Sequence, residues 1–126
     1  MGAGMRLTID KAVYGGYGRA DLKRNIAANR IGNVKAVRSR IERFRPSGRY
    51  DAAVVDPPRT GLSERAVGFL VGLRAPRVLY MSCNPATLAR DLSRLSGAYR
   101  IAGLEAYDFF PQTHHVETLV VLERRQ

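Results

Sequence analysis

The chain of 126 residues contains a single cysteine and two histidines. One cysteine excludes an internal disulfide, and it cannot build a multi-cysteine zinc site alone. No apolar run approaches the about 20 residues that a membrane-spanning helix needs. The opening MGAGMRLTIDKAVYGG lacks the long apolar stretch of a secretory signal, so a cytoplasmic location is expected. There is no internal repeat and no low-complexity tract. Acids are scarce: 11 Asp and Glu stand against 21 Lys and Arg, a net charge of +10. From Arg19 to Arg49 ten basic residues meet two acids, Asp21 and Glu42. A surface of that kind attracts polyanions such as nucleic acid. The alternative is an Arg-rich solvated face with no anionic partner. Apolar residues make up 45% of the chain, which suits one domain with a modest core and argues against disorder.

Hydrophobic periodicity divides the chain into alternating elements. Residues 6–14, RLTIDKAVY, alternate weakly and read as a strand that GGYG (15–18) breaks. ADLKRNIAANR (20–30) has Leu22, Ile26 and Ala27 at helical spacing, with Asn29 near a stop and Gly32 past it. NVKAV (33–37) reads as a short strand, and 39–49 as a polar helix-turn that ends in a Pro46-Ser47-Gly48 loop. Ala52 to Val55 is apolar on both faces, as in a strand buried within a parallel sheet. Leu62 to Leu73 reads as a helix capped by Ser63, with Glu64 in its first turn. RVLYMS (77–82) is a second buried strand. PATLARDLSRLS (85–96) is a helix that opens on proline, where a missing N–H costs nothing. Residues 99–110 and 115–124 read as two strands with no helix between them, so that end of the sheet is expected to be antiparallel. The pattern is that of an α/β protein, with helices on the faces of a mostly parallel sheet.

Open α/β sheets bind ligands beyond the carboxyl ends of their strands. Asp56 ends one predicted strand and opens Asp56-Pro57-Pro58-Arg59. Cys83 ends another and precedes Asn84-Pro85. Glu117 follows Phe110-Pro111-Gln112-Thr113-His114-His115. A thiolate is a nucleophile, and the start of a helix favours it; most free cysteines, however, are small buried hydrophobes. The two prolines remove N–H donors and leave the Asp56 carboxylate and local carbonyls for a ligand; the bland reading is a turn. His114 and His115 point to opposite sides of an extended chain, so they make a poor chelating pair. No metal is expected, and one hydrogen-bonding histidine is the plainer reading. Glu117 alone is equally well a surface acid.

DPPRTGL (56–62), YMSCNPATLARDL (80–92) and FFPQTHHVE (109–117) resemble, in order and spacing, the C-terminal motifs of the S-adenosylmethionine-dependent RNA 5-methyluridine methyltransferases, which act on tRNA or 23S rRNA. DLKRNIAANRIGNVKAV (21–37) is similar to the helix and strand that precede them. RLTIDKAVYGGYGRA (6–20) is more weakly similar to the opening of the TRAM domain that many members carry. The resemblance implies a partial Rossmann-like class I methyltransferase sheet over 21–126, with 1–20 as a TRAM-like opening segment or a substitute strand. It assigns Cys83 as nucleophile, Glu117 as proton acceptor and Asp56 to the cofactor and uracil site. Arg59, Asn84 and His114 fall to the substrate and RNA. The implied cofactor is S-adenosylmethionine and the implied partner is RNA.

The residue types suit that chemistry. Carbon 5 of uracil is too weak a nucleophile to attack a methyl sulfonium. A thiolate added at carbon 6 raises its electron density, and a base must later remove the carbon 5 proton so that the thiol can leave. Amino-methylating enzymes instead follow Asp-Pro-Pro with an aromatic residue; here Arg59 follows, and a cysteine motif comes one strand later. The family's early Gly-rich cofactor turn and the acid after its second strand have no counterpart before residue 21. Two missing strands would leave unpaired edges that invite self-association or a partner chain. One repair would be MRLTIDKAVY–GGYG–RADLKRN, in the order strand, Gly turn, helix, in the place of the first missing strand; the alternative, which is favoured, is an unrepaired sheet with cofactor affinity reduced or lost. Two readings follow: a truncated and impaired enzyme, or a non-catalytic basic RNA-binding remnant.

Overall fold

The computed structural model describes residues 18–34, 37, 39 and 43–126. The chain divides into two compact units, Met1–Arg45 and Pro46–Gln126. The expected strand at 6–14 and residues 15–17 of the expected glycine turn at 15–18 lie outside the described residues, while Gly18, its last member, opens a helix. So does most of the expected strand at 33–37, of which Asn33, Val34 and Val37 are described and none is in a strand.

In the first unit, α1 spans Gly18–Ala28. It stops where Arg30 turns left-handed, at φ 52°. The Ile31 N–H reaches back to the Ile26 carbonyl at 3.0 Å, and the Arg30 N–H to that of Ala27 at 3.1 Å. Those bonds satisfy carbonyls the helix end would otherwise leave open.

The second unit runs β1 (Ala52–Val55), α2 (Glu64–Leu73), β2 (Arg77–Ser82), α3 (Pro85–Leu95), β3 (Tyr99–Tyr107) and β4 (Glu117–Arg124). The sheet order is β1-β2-β4-β3. β1 and β2 are parallel, while β4 runs antiparallel to both β2 and β3. Three of the four strands therefore share a direction and only the C-terminal strand opposes them, as expected. Among the described residues β1 is an edge rather than an interior strand, and its Val54 is 63% exposed.

Both helices cover the sheet face that carries Val78, Tyr80, Val120 and Leu122, all buried. From α2 come Ala66, Val67 and Leu70, and from α3 Leu88 and Leu95. Each helix begins as its sequence requires. The Ser63 hydroxyl accepts the Ala66 N–H at 3.1 Å, and the Asn84 carbonyl oxygen accepts that of Ala86 at 3.0 Å, with Pro85 next. Buried Tyr99 donates its hydroxyl to the Ala75 carbonyl at 3.0 Å, tying β3 to the connection before β2. β3 ends at Tyr107, three residues before the expected 110. Beyond it Gln112 adopts φ 68° and the Thr113 N–H bonds the Phe110 carbonyl at 3.1 Å, so the chain turns instead of continuing the ladder.

Candidate active site

The ends of three strands converge on one edge of the sheet. Val55, the last residue of β1, is in register with Tyr80 of β2. Ser82, the last residue of β2, is in register with Thr118, the second residue of β4. Cys83 directly follows Ser82, and Glu117 directly precedes Thr118. The thiol and the carboxylate therefore stand at the same end of adjacent strands, which lie about 4.8 Å apart. Strand alternation places Glu117 on the face away from α2 and α3, because Thr118 occupies the helix-covered side, and Cys83 stands at the bend between β2 and α3. Cys83 and Glu117 are each partly accessible, while Asp56, one residue past β1 at the same edge, is exposed.

Two loops frame this edge. The first, 56–62, follows β1 and packs against the start of α3. The Gly61 N–H closes a turn on the Pro58 carbonyl at 2.8 Å, with Gly61 at φ 74°. The Arg59 carbonyl accepts the Asn84 side-chain amide at 3.1 Å and the Thr87 hydroxyl at 3.0 Å. Arg90 donates Nη2 to the Thr60 carbonyl at 2.8 Å and to one oxygen of its neighbour Asp91 at 2.9 Å. The other Asp91 oxygen accepts the Leu62 N–H and the Tyr80 hydroxyl, each at 2.6 Å. Burial, reinforced by that hydrogen bond and the adjacent negative charge, raises the Tyr80 hydroxyl far above its ordinary pKa of 10.

The second loop, 108–116, connects β3 to β4. Phe109 and Phe110 are exposed. Tyr107 and Phe109 stack with ring centroids 5.7 Å apart, and His115 meets the Phe110 ring edge-on at 6.5 Å. His114 is exposed on the same loop. Among the described residues no group of three or more His, Cys, Asp and Glu is placed to hold a metal ion. Nor is any described helix long and apolar enough to cross a membrane.

The structure thus brings Cys83, Glu117 and Asp56 to one edge, and seats the Arg59 backbone against Asn84. The Asn84 side chain caps α3 through its oxygen and holds Arg59 through its nitrogen, which leaves one amide proton for any ligand. Reasoning from the sequence missed the members that hold the loop: Gly61, Tyr80, Thr87, Arg90 and Asp91. One signal was present. Leu88, Asp91 and Leu95 share a helical stripe, and a carboxylate within an apolar stripe calls for buried partners.

A family model for tRNA (uracil-5-)-methyltransferase matches residues 45–125. The chain belongs to the tRNA (uracil-5-)-methyltransferase family. An uncharacterized RNA methyltransferase of Listeria innocua is 43% identical over 110 residues, which cover 83% of this chain and 24% of that protein. A tRNA/tmRNA (uracil-C(5))-methyltransferase of Musicola paradisiaca is 41% identical over 118 residues, covering 80% of this chain and 32% of that one. The chain therefore spans about a quarter to a third of the length of these relatives. The Pyrococcus abyssi tRNA (uracil-54, C5)-methyltransferase, solved in complex with S-adenosyl-L-homocysteine, superposes with a TM-score of 0.79 at 32% identity. That match covers 91% of this chain and 28% of the archaeal one. The N-methyltransferase NodS of Bradyrhizobium japonicum, at 17% identity and a TM-score of 0.73, shares the fold alone; 96% of this chain is covered and 67% of NodS. A uracil-5-methyltransferase chain with a partial class I methyltransferase sheet is what the sequence motifs led one to expect.

Proposed function

We propose that this chain carries the thiol and carboxylate of an enzyme that methylates carbon 5 of a uridine in RNA, tRNA or rRNA, with S-adenosylmethionine as donor. The observation that supports this most is the pairing of Ser82 with Thr118, which brings their neighbours Cys83 and Glu117 to the same end of adjacent strands. We assign residues 21–126 to the methyltransferase domain and 1–20 to an opening segment or substitute strand.

The Cys83 thiolate adds to carbon 6 of the uracil ring, forming a C–S bond and moving the ring's π electrons toward carbon 5 and the carbon 4 oxygen. S-adenosylmethionine, when bound, supplies the electrophilic methyl group that such a carbon takes. Asp56, exposed beside the rigid Pro57-Pro58 turn, fits a hydrogen-bonding or cationic part of that cofactor. Glu117 then accepts the carbon 5 proton; the C–H electrons restore the ring double bond and the sulfur leaves as thiolate. The target base must leave its stack to reach this edge. Arg59, His114 and the remaining amide proton of Asn84 contact the RNA, and the basic 30–49 stretch attracts its phosphates. The outer edge of β1, unpaired among the described residues, is where a partner chain or second copy would add a strand.

The net charge of +10 also supports a second reading, a basic RNA-binding remnant without turnover. RNA containing 5-fluorouridine separates the two when incubated with S-adenosylmethionine. Fluorine blocks the elimination, so a working Cys83 remains covalently attached to the RNA through denaturing electrophoresis, and Cys83→Ser loses the adduct. RNA binding without an adduct in the wild-type chain would establish the remnant.

A further inference from the structure

We propose that Arg90 and Asp91 are positioning residues that set the 56–62 loop, and with it Asp56 and Arg59, relative to Cys83. This rests on the function proposed above.

Asp91 is fully buried. A carboxylate in that position is costly unless both oxygens are paired, and an apolar residue of similar size often serves stability as well or better. Helix α3 needs no acid there for its own sake, since Leu88 and Leu95 already seat it. What Asp91 does hold is the Leu62 N–H on one oxygen, at 2.6 Å, and the Arg90 guanidinium on the other, at 2.9 and 3.1 Å. Arg90 passes the connection on to the Thr60 carbonyl at 2.8 Å.

Every bond from α3 and its cap to the loop ends on loop backbone: the carbonyls of Arg59, Thr60 and Leu62 and the N–H of Leu62. The grip fixes the path of the chain through its backbone, while the Asp56 and Arg59 side chains stay exposed and that of Leu62 enters the core. Gly61 is part of the same fit. A β-carbon there would come within 2.5 Å of an Asp91 oxygen and 2.6 Å of Arg90 Nη2, at a φ that disfavours side chains anyway. The loop and the helix thus meet through a contact that tolerates no added atom.

The consequence concerns geometry at the sheet edge. Asp56 enters this loop and Cys83 lies just before the helix that grips it. Their separation is fixed by the sheet on one side and by the clamp on the other. Covalent chemistry at a ring carbon is sensitive to displacements of about 1 Å, worth about a hundredfold in rate.

Gly61→Ala and Arg90→Gln test this in the full chain; the second alters a partly exposed side chain and spares the core. Helix content by circular dichroism, hydrogen exchange at the Leu62 amide, affinity for 5-fluorouridine RNA and the adduct rate at saturating RNA are measured together. Both variants should keep their helix content, and reading the adduct rate at saturating RNA removes any loss of affinity that a displaced Arg59 causes. The Leu62 amide should exchange about tenfold faster or more, and the saturating adduct rate should fall about a hundredfold. A freely exchanging Leu62 amide with an unchanged saturating rate overturns the proposal. So does a rate that falls only in step with lost helix content. If the wild-type chain forms no adduct at all, the proposed function fails, and the clamp is then decided by exchange: unchanged protection in both variants overturns it.

Discussion

Removing a single oxygen atom, in Tyr80→Phe, interrogates the clamp from the core side. The Tyr80 ring is fully buried on β2 and its hydroxyl donates to Asp91 at 2.6 Å. Phenylalanine fills the same volume, so no large cavity opens. What is lost is one hydrogen bond to a charged group, worth about 1.5–3 kcal/mol. The Leu62 N–H and Arg90 still compensate the carboxylate, which holds the expected cost to that range. The pH dependence gives an independent check. Tyr80 keeps its proton in the folded state well above pH 10, whereas the unfolded chain releases it near 10. The unfolded state therefore binds fewer protons above pH 10, and stability falls there as pH rises. Tyr80→Phe lacks this loss, so the gap between wild type and variant is constant up to about pH 9 and narrows by about 1.4 kcal/mol by pH 11. Urea denaturation of both proteins from pH 7 to 11 measures it. A cost below about 0.5 kcal/mol at pH 7, outside the range for a charge-assisted bond, would refute the energetic reasoning. A gap that stays constant to pH 11 would refute the assignment of the proton.

Glu117→Gln cannot accept the carbon 5 proton, so with ordinary uridine RNA and S-adenosylmethionine the Cys83 adduct should accumulate. A denaturing gel shows it as a retarded band, and turnover should fall by about a hundredfold or more. Ser63→Ala removes the cap of α2 and should cost about 1 kcal/mol, read by urea denaturation, with no change in the RNA adduct rate.

Much of the second unit was legible because its signals are local. Ser63, Pro85 and the apolar runs 52–55 and 77–82 specify caps and strands through their nearest neighbours, and the elements begin where those residues place them. β3 was overextended because apolar Phe109 and Phe110 continue its pattern; the turn at Gln112 and Thr113 takes precedence over that pattern. β1 reads as a buried strand from its two apolar faces, and its outer edge, which the two missing strands were expected to leave open, is unpaired among the described residues. Composition records that a strand suits a sheet's middle, and cannot record whether a neighbour is there.

By itself the sequence determined the chemical inventory: one thiol, two acids at strand ends, a basic surface and three motifs whose order identifies the family. Those are properties of residue type and short spacing. Only tertiary structure decided that β4 lies between β2 and β3, which brings Glu117 to the same sheet end as Cys83, 34 residues earlier in sequence. It also decided that Asp91, unremarkable in a helix, grips a loop 29 residues earlier in the chain. A buried carboxylate collects whichever donors the folded backbone delivers, and strand order brings them from distant segments that no local pattern connects.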